Sequence, residues 1–495
     1  MLKKVSLAVT VFLLAFTSVS PAQTLRTLVH QPPNGAGIGF LLTDGTVMFQ
    51  GNNSATWWKV TPDNFGSYFN GTWSQLASLP SGYSPLYFAS SVLADGRVVI
   101  VGGEYNFGTF VLTNQGAIYD PVANTWTSLP PPAGWDFIGD SPSVVLPDGK
   151  FLIGNKLDKR MAVLDPATLT WAAVGTTVHF SAAKSDFNAE EGWTLLPDGT
   201  VLTCDVKNAP HSERFIYSVL TQPMVYQTWV NAGTTIVDLH SPPTEGCLAY
   251  GDHGQYCYFP PGEIGPAILR PNGTVFATGS NSTAGPGHTA VYTPPTAPTD
   301  PGTWTPGPDF PNGDYADDSY AALLPNGNVL VLGSSGRLYE FDGVNLLPQL
   351  NASGALLVLP TGEVSVAANT VRLYLPSNTT YSPSWAPAIT TYPGTVSRGS
   401  TYQIFGRQFN GLSQANAYGD EDETATNYPL VRITNQSTGH VFYARTHGHS
   451  TMAVATGKTT VSTNFDAPAG METGASSLQV VANGIPSPAV AITVL

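Results

Sequence analysis

The sequence predicts an all-β protein: a seven-bladed β-propeller followed by a C-terminal β-sandwich. Three observations support this. Of 495 residues, 50 are glycine, 41 are proline and only 11% are charged, whereas coiled coils and helical solenoids need many Lys, Glu and Arg residues. A hydrophobic run, a two-residue turn and a second hydrophobic run recur seven times. From about residue 384 the strand-like runs continue, but the period is lost.

Each unit is predicted to open with a β-hairpin. Most units carry Asp-Gly or Asn-Gly between apolar runs, and such turns need residues with positive φ. The turn glycines are Gly45, Gly96, Gly149, Gly199, Gly273, Gly327 and Gly362. Five units also carry a Trp, whose periodic placement predicts a core position: Trp73, Trp126, Trp171, Trp229 and Trp304. A four-stranded unit of about fifty residues is typical of kelch blades, which stack around an axis.

The seventh unit is one strand short before Pro376, which would leave an open sheet edge. We therefore expect the segment Leu25–Gln31 to supply the missing strand. Residues 23–383 are assigned to the seven-bladed kelch-type propeller. Residues 384–495 are assigned to a sandwich of immunoglobulin-like type, because their alternating apolar positions predict short antiparallel strands.

The N-terminal residues 1–22 have the parts of a secretory signal peptide: two lysines, an apolar run and small residues ending at Ala22. The apolar run is shorter than the roughly 20 residues of a spanning helix. We expect a protein secreted to the medium or the periplasm, not inserted in a membrane, and monomeric. The net charge of −14, with no basic run, argues against a nucleic acid or an anionic membrane as partner.

The chain has three cysteines. Cys247 and Cys257 flank a short loop, and in an oxidising compartment we expect them to form a disulfide. Cys204 lies in a strand-like run, which favours a small buried apolar residue.

One offset from the turn selects residues at the mouth of the axial channel. In each unit we take the residue eight places before the one that precedes the turn glycine. At roughly 3.3 Å per residue, this separation spans the innermost strand, so the residue is expected near the mouth. The positions selected in the seven units are Ala36, Tyr87, Asp140, Glu190, Ile264, Asp318 and Ser353. With the adjacent Glu191, Glu263 and Asp317, they collect carboxyl groups in a chain that is poor in charge.

Converging carboxyl groups either take raised pKa values or bind a cation. We therefore predict an axial site in which Tyr87, Glu190 and Asp318 are catalytic. A divalent metal ion, calcium or copper, would be held by Asp140, Glu190, Asp317, Asp318, His447 and His449. Glu191 and Glu263 would contact substrate. The open alternative is that these acidic residues, at the start of the innermost strands, are solvated and hold no ligand.

Two further segments carry candidate residues. Trp135 follows Pro and Gly in an interblade loop, and either stacks on a sugar ring as a substrate-binding residue or packs between blades. Four acidic residues, 420–423, lie in one segment. Their spacing does not match an EF-hand loop, so a solvated acidic loop is favoured over a calcium site.

Seven kelch units followed by a C-terminal sandwich resemble the galactose oxidase and glyoxal oxidase family of secreted copper-radical oxidases. The resemblance implies a copper ion on the propeller axis and a Tyr cross-linked to a Cys. Tyr87 falls where the cross-linked Tyr of the family falls, but Ala36 stands where its Cys would be. Asp317 and Asp318 replace the Tyr-His pair that binds copper. In the segment ARTHGHSTM, His447, or failing that His449, resembles the remaining His ligand.

Without the Cys, no thioether-linked cofactor is expected, and carboxylates suit harder cations than copper. We therefore expect the oxidase fold without ordinary oxidase activity. The favoured function is binding or processing of extracellular carbohydrate at the acidic axial site. The alternatives are a copper oxidase with an altered ligand set, built around Tyr87 and His447, and an interaction scaffold without chemistry.

Overall fold

The computed structural model describes residues 23–495, except for 53, 175–183, 207, 220–224, 242–245, 251–253, 259–261, 281–285 and 298. The predicted signal peptide, 1–22, lies outside the described residues. No helix within the described part of the chain has the length and apolar character needed to cross a membrane. The described helices are short 3-10 turns, at Pro311–Gly313 and Pro383–Trp385.

Seven sheets in the described part of the chain each contain four antiparallel strands, as expected for propeller blades, and sheet 6 has a short fifth strand. Sheet 1 consists of Gly39–Leu41, Val47–Gln50, Trp57–Thr61 and Thr72–Gln75. Sheet 2 consists of Ala89–Val92, Val98–Val101, Gly116–Asp120 and Thr125–Leu129. Sheet 3 consists of Ser143–Val145, Phe151–Gly154, Met161–Asp165 and Thr170–Val174. Sheet 4 consists of Thr194–Leu195, Val201–Cys204, His211–Val219 and Val225–Thr234.

The remaining sheets follow the same order. Sheet 5 consists of Ala267–Leu269, Val275–Thr278, Thr289–Thr293 and Thr303–Pro306. Sheet 6 consists of Ala321–Leu323, Val329–Leu332, Arg337–Phe341 and Leu346–Asn351. Sheet 7 consists of Ala355–Val358, Val364–Ala367, Arg372–Leu375 and the N-terminal strand Thr24–Thr27. The first strand of sheet 7 contacts the first strand of sheet 1, so the sheets form a closed succession.

The N-terminal strand completes the last sheet. Thr24–Thr27 pairs antiparallel with Arg372–Leu375, and Leu25 lies opposite Tyr374. The chain termini of the propeller are therefore joined by backbone hydrogen bonds, which removes an open edge. The expectation that a segment after residue 22 closes the ring is confirmed, but the strand spans Thr24–Thr27 and not the expected Leu25–Gln31.

The hairpin turns have the backbone that the sequence predicts. All seven turn glycines have positive φ, between 75° at Gly45 and 87° at Gly96. Side chains rarely tolerate this region, whereas glycine enters it without steric cost. The turn therefore ends each innermost strand at the same place, and the opposite end of that strand faces the other side of the ring.

The repeated tryptophans connect neighbouring sheets. The indole N–H of Trp126 donates to the carbonyl oxygen of Ala77 at 3.0 Å, and that of Trp171 donates to Pro130 at 2.8 Å. Trp304 donates in the same way to Ala232 at 3.1 Å. Because each bond reaches back to the preceding blade, these residues hold the blades to one another, and their predicted structural role agrees with this placement.

Smaller elements interrupt the repeat. A three-stranded sheet beside sheet 2 consists of Pro85–Leu86, Tyr105–Asn106 and Thr109–Phe110. A two-stranded hairpin between sheets 4 and 5 consists of Gly246–Tyr250 and Gly254–Tyr258, with Cys247 opposite Cys257 in the backbone register. The side chains of these two cysteines lie outside the described residues, so their disulfide stays a prediction.

The C-terminal strands form a separate sheet with its own apolar core. Its strands are Ala388–Thr391, Thr395–Val396, Thr401–Arg407, Leu430–Asn435, Val441–His447, Val461–Asp466, Gly474–Ala482, Ile485–Pro486 and Val490–Val494. This unit packs on the turn side of the ring: the backbone N–H of Thr446 donates to Thr43, and that of Met452 donates to Pro147. Both acceptors lie within three residues of a turn glycine.

Candidate active site at the mouth of the channel

A segment of the C-terminal unit passes along the innermost strands of the blades. Residues 410–429, here called the axial segment, are buried throughout. Its short strand Asn416–Ala417 pairs with Ala321 and Ala322 of sheet 6. The Gln414 side chain accepts a hydrogen bond from the backbone N–H of Leu195 in sheet 4, at 2.7 Å. The axial segment therefore carries residues from the turn side of the ring toward the opposite mouth.

Four acidic residues of the axial segment, 420–423, are buried within the protein. The interpretation of these residues as a solvated loop is wrong, because the segment is enclosed by the blades. Burial raises the pKa of Glu421 and of Glu423 well above the usual range, with the Asp422 carboxylate adding to the shift in both cases. Sequence pattern alone does not distinguish an acidic surface loop from one that is threaded between blades.

Lys156 is the centre of the inner layer of the site. Its Nζ donates to Asp140 Oδ2, and to Glu190 Oε1 at 2.5 Å, and lies 4.0 Å from Asp420 Oδ2. Only 3% of the Lys156 side chain is exposed. Each of these three carboxylates offers an oxygen that lies within 4.8 Å of the others. An ammonium group thus compensates a buried triad of carboxylates, Asp140, Glu190 and Asp420.

An outer layer of carboxyl groups is reached by solvent. Glu104 and Glu263 are partly exposed, and Asp318 is exposed although protein surrounds it on most sides. Burial, and then the Asp140 carboxylate, raises the pKa of Glu104 to about 8. The pKa of Glu263 rises to about 10, by burial and then by Glu190. Burial and Glu190 raise the pKa of Asp318 to about 7. The mouth therefore holds protonated carboxyl groups beside ionised ones at neutral pH.

Tyrosines line the wall between the two layers. The rings of Tyr87 and Tyr418 stack with centroids 6.4 Å apart, and the Tyr418 ring lies 4.6 Å from that of Tyr320. The Tyr320 hydroxyl donates to Asp422 Oδ2 at 2.8 Å. Burial and the nearby Asp318 carboxylate raise the pKa of Tyr87, so its phenol stays protonated at neutral pH. The wall is aromatic and can donate hydrogen bonds.

Two residues at the mouth have a strained backbone. Tyr87 has a φ of 54° and Glu190 a φ of 53°. This left-handed region costs a non-glycine residue roughly 1–3 kcal/mol and is found most often at functional sites. Both residues hold the same place relative to the turn of their blade. The strain at equivalent positions supports a functional role for this end of the blades.

Several predicted residues lie together at this mouth. They are Tyr87, Asp140, Glu190, Glu263 and Asp318, each of which interacts electrostatically with at least one of the others. Asp317 is half-buried beside Asp318, and burial raises its pKa.

Sequence reasoning missed Lys156 and Glu104. They lie at the same end of the second strand of their blades, seven and eight residues after turn glycines Gly149 and Gly96. Applying the offset to the second strand as well as to the first would have found them.

His447 and His449 do not belong to this site. The backbone N–H of His449 donates to Ala94, which is next to the Asp95-Gly96 turn at the opposite end of the innermost strand. His447 Nε2 pairs with Asp466 at 3.1 Å, and His449 Nδ1 with Thr463 Oγ1 at 2.8 Å. Burial lowers the pKa of His449 to about 3, so it stays neutral. The prediction that these histidines bind an axial metal is therefore wrong, because the axial segment, and not theirs, reaches the mouth.

Glu191 and Trp135 are also turned away from the mouth. Glu191 is fully buried and accepts hydrogen bonds from Lys184 Nζ at 2.6 Å and from Thr203 at 2.9 Å. Trp135 is buried, with the Arg160 guanidinium 5.4 Å from its ring centroid. The predicted substrate contacts of both residues are therefore wrong. Glu191 is a partner in a second buried ion cluster, and Trp135 packs between blades.

The comparisons with known proteins agree with this architecture. No family model matches the chain. The Kelch-like protein terF of Aspergillus terreus is 30% identical over 131 residues, which are 26% of this chain and 25% of that protein. A galactose oxidase of Gibberella zeae is 32% identical over 87 residues, 18% of this chain and 12% of that protein. The chain thus matches a quarter or less of the length of these relatives.

A solved structure matches over nearly the whole length. It is a fungal alcohol oxidase of the AA5 family in complex with copper, with a TM-score of 0.51 and 12% sequence identity, covering 95% of this chain and 98% of the other. At this identity the likeness concerns the fold.

The residues at the mouth do not fit the copper of that enzyme. Among the described residues, the group that could hold an ion consists of three carboxylates, with neither an imidazole nor a thiolate among them. Copper favours nitrogen and sulfur donors. The ammonium of Lys156 also lies against these oxygens, so the cationic position is filled by the protein itself. Cys204 is buried in sheet 4, with its pKa raised by burial and by Asp205. In its fold and its matched segments, although not in its site, the chain is similar to kelch and galactose oxidase-like propeller proteins.

Proposed function

We propose that this protein is secreted and processes extracellular carbohydrate at the acidic mouth of its propeller by acid–base chemistry. The observation that carries the proposal is Asp318, a carboxyl group that solvent reaches and whose pKa is raised to about 7 beside the ion-paired Glu190. A general acid or base works best when its pKa lies near the operating pH. The site therefore has a proton donor and a fixed carboxylate in one place.

Cleavage of a glycosidic bond uses such a pair. One carboxyl group protonates the leaving oxygen, and a second carboxylate faces the positive charge that develops on the sugar ring. In this proposal Asp318 donates the proton. Glu190, whose Oε1 accepts a hydrogen bond from Lys156, faces the positive charge that develops on the ring. A water molecule from the open mouth adds to the anomeric carbon and releases a proton to solvent, which completes the hydrolysis. Tyr87 presents an aromatic wall to the sugar.

The rest of the proposal concerns the protein as a whole. We propose that the C-terminal strands form an immunoglobulin-like sandwich, supported by their antiparallel pairing and separate core. Secretion is supported by the signal-like residues 1–22, and a monomer is proposed because the blades already close on themselves.

The experiment incubates the mature protein with a panel of plant, fungal and bacterial polysaccharides and measures new reducing ends. We expect activity on one class of glycan, and a loss of about 10²–10⁴-fold in kcat for Asp318→Asn, the range for removing a general acid. Asp120→Asn is the matched control, since Asp120 ends the third strand of sheet 2 on the turn side, away from the mouth. Peroxide formation from primary alcohols without glycan cleavage would instead support an oxidase and contradict the proposal.

A further inference from the structure

The channel mouth carries more acidic groups than cations. Glu104, Glu263 and Asp318 surround the buried triad, and Lys156 is the cationic side chain that forms ion pairs with this group among the described residues. The single positive charge of Lys156 faces three buried carboxyl groups, Asp140, Glu190 and Asp420, before the outer layer is considered. The mouth is therefore electrostatically complementary to a further positive charge, which would enter from the solvent side.

A second observation points to a missing hydrogen-bond donor. Asp140 Oδ2 accepts from Lys156, but Asp140 Oδ1 has no hydrogen-bond partner, although only 7% of this side chain is exposed. Leaving a buried acceptor unpaired costs roughly 1–3 kcal/mol, and more for a charged group. This oxygen is closed to solvent, so an N–H donor on a bound ligand removes the cost once the side chains at the mouth move apart around it.

A third observation indicates the shape of the ligand. The strands Tyr105–Asn106 and Thr109–Phe110 form a hairpin that follows Glu104 directly, here called the rim hairpin. Phe107 at its tip is 62% exposed, and Phe110 is 36% exposed. The Tyr105 ring lies 6.3 Å from that of Tyr87 and 5.7 Å from that of Phe110. An aromatic surface thus continues from the wall of the site to the solvent.

We propose that the mouth selects an amino sugar, whose ring stacks on the rim hairpin while its ammonium group enters between Glu104, Asp140 and Asp318. The inference rests on the proposed function and adds the charge of the substrate. Aromatic faces hold the apolar side of a sugar ring. The ammonium donates charge-assisted hydrogen bonds to these carboxyl groups and favours their ionised form. An uncharged sugar would gain the first contact without the second.

Proton release offers an independent readout. The pKa of Glu104 is raised to about 8 by burial and by the Asp140 carboxylate. A bound ammonium favours the ionised form of this carboxyl group, so the pKa falls and a proton leaves near neutral pH. Binding of an uncharged sugar leaves Glu104 protonated.

The test compares three oligosaccharides of equal length by isothermal titration calorimetry: glucosamine, N-acetylglucosamine and glucose oligomers. We expect the glucosamine oligomer to bind at least about tenfold more tightly, which one charge-assisted hydrogen bond can supply. Titrations in buffers of different ionisation enthalpy should show protons released for this ligand alone.

Three other outcomes would contradict the charge preference, the sugar preference or the binding of these oligomers. Equal affinity for all three oligomers overturns the preference for an amine and leaves the carbohydrate function standing. Binding of spermidine as tight as that of the glucosamine oligomer overturns the sugar part. Absence of binding by all three oligomers overturns the inference, whereas the proposed function falls if the polysaccharide panel also yields no new reducing ends.

Two variants locate the contacts. Glu104→Gln should reduce the affinity for the glucosamine oligomer about tenfold and leave the neutral oligomers unchanged. Phe107→Ser should weaken all three ligands to the same extent. Phe65→Ser is the matched control, because Phe65 is 66% exposed and contacts His440 of the C-terminal unit. If Glu104→Gln fails to fold, the proton-release titration of the unmodified protein still decides the matter.

Discussion

Replacing Lys156 by methionine tests the inner layer of the site. The change removes one positive charge and keeps a side chain of similar length, so the loss of packing is small. The carboxylates of Asp140, Glu190 and Asp420 remain buried without the cation that compensates them. The structure therefore predicts a destabilisation that is electrostatic in origin.

The magnitude follows from burial. Removing one partner of a buried ion pair costs about 3–5 kcal/mol, because the remaining charges are uncompensated. Lys150→Met is the matched control. The Lys150 side chain is 32% exposed and pairs with Asp148 at 2.6 Å, and an exposed pair of this kind contributes about 0–1 kcal/mol. The two substitutions are chemically identical and differ in where the ion pair lies.

The loss should depend on pH in a defined direction. Burial already raises the pKa of Asp140 in the folded protein to about 6, and the Lys156 ammonium opposes this shift. Without Lys156, the pKa of Asp140 rises further above its unfolded value. A folded state that holds more protons than the unfolded state gains stability as pH falls. The difference between Lys156→Met and the unmodified protein should therefore be largest near pH 8 and shrink toward about pH 5. Added calcium should raise the Tm of the variant, because a divalent ion can replace the ammonium.

The assay is thermal and urea unfolding of the three proteins across this pH range, followed by circular dichroism. A Lys156→Met protein as stable as Lys150→Met at neutral pH would refute the argument. So would a loss that stays constant with pH, since this would indicate packing rather than charge.

Two further predictions concern groups outside the inner layer. The pKa of Glu104, raised from 4.5 to about 8 by burial and Asp140, means that stability falls as pH rises between these values; Glu104→Gln should flatten this part of the Tm–pH curve, and an unchanged slope would show that Glu104 is not the group responsible. Trp126→Phe removes the indole hydrogen bond to Ala77, 3.0 Å long, and should lower the free energy of unfolding by about 0.5–1.5 kcal/mol, as measured by urea denaturation, whereas no loss would mean that this bond does not hold the blades together.

The repeat made the fold and half of the site predictable. Because every innermost strand runs between a glycine turn and the channel mouth, one offset identified Tyr87, Asp140, Glu190 and Asp318 without any structure. The same regularity predicted that Leu25–Gln31 would close the ring, since an unpaired edge is unfavourable, and the observed strand, Thr24–Thr27, overlaps the start of that segment.

The remaining parts of the site depend on contacts that no period describes. Lys156 follows the second strand of sheet 3, and Asp420 lies on the axial segment, which belongs to the C-terminal unit. A run of acidic residues is usually solvated, and nothing in its local sequence indicates that blades enclose it. His447 was misassigned for the same reason, because a short motif match does not show on which side of the ring the motif lies.

The most direct test of the account is a crystal structure of the protein grown with added copper, with anomalous data collected at the copper edge. We expect the Lys156 ammonium between Asp140 and Glu190, and no anomalous peak at the channel mouth. A copper peak bonded to Asp140, Glu190 and Asp420, with Lys156 displaced, would contradict the claim that this propeller holds its own cation, the Lys156 ammonium, at the channel mouth.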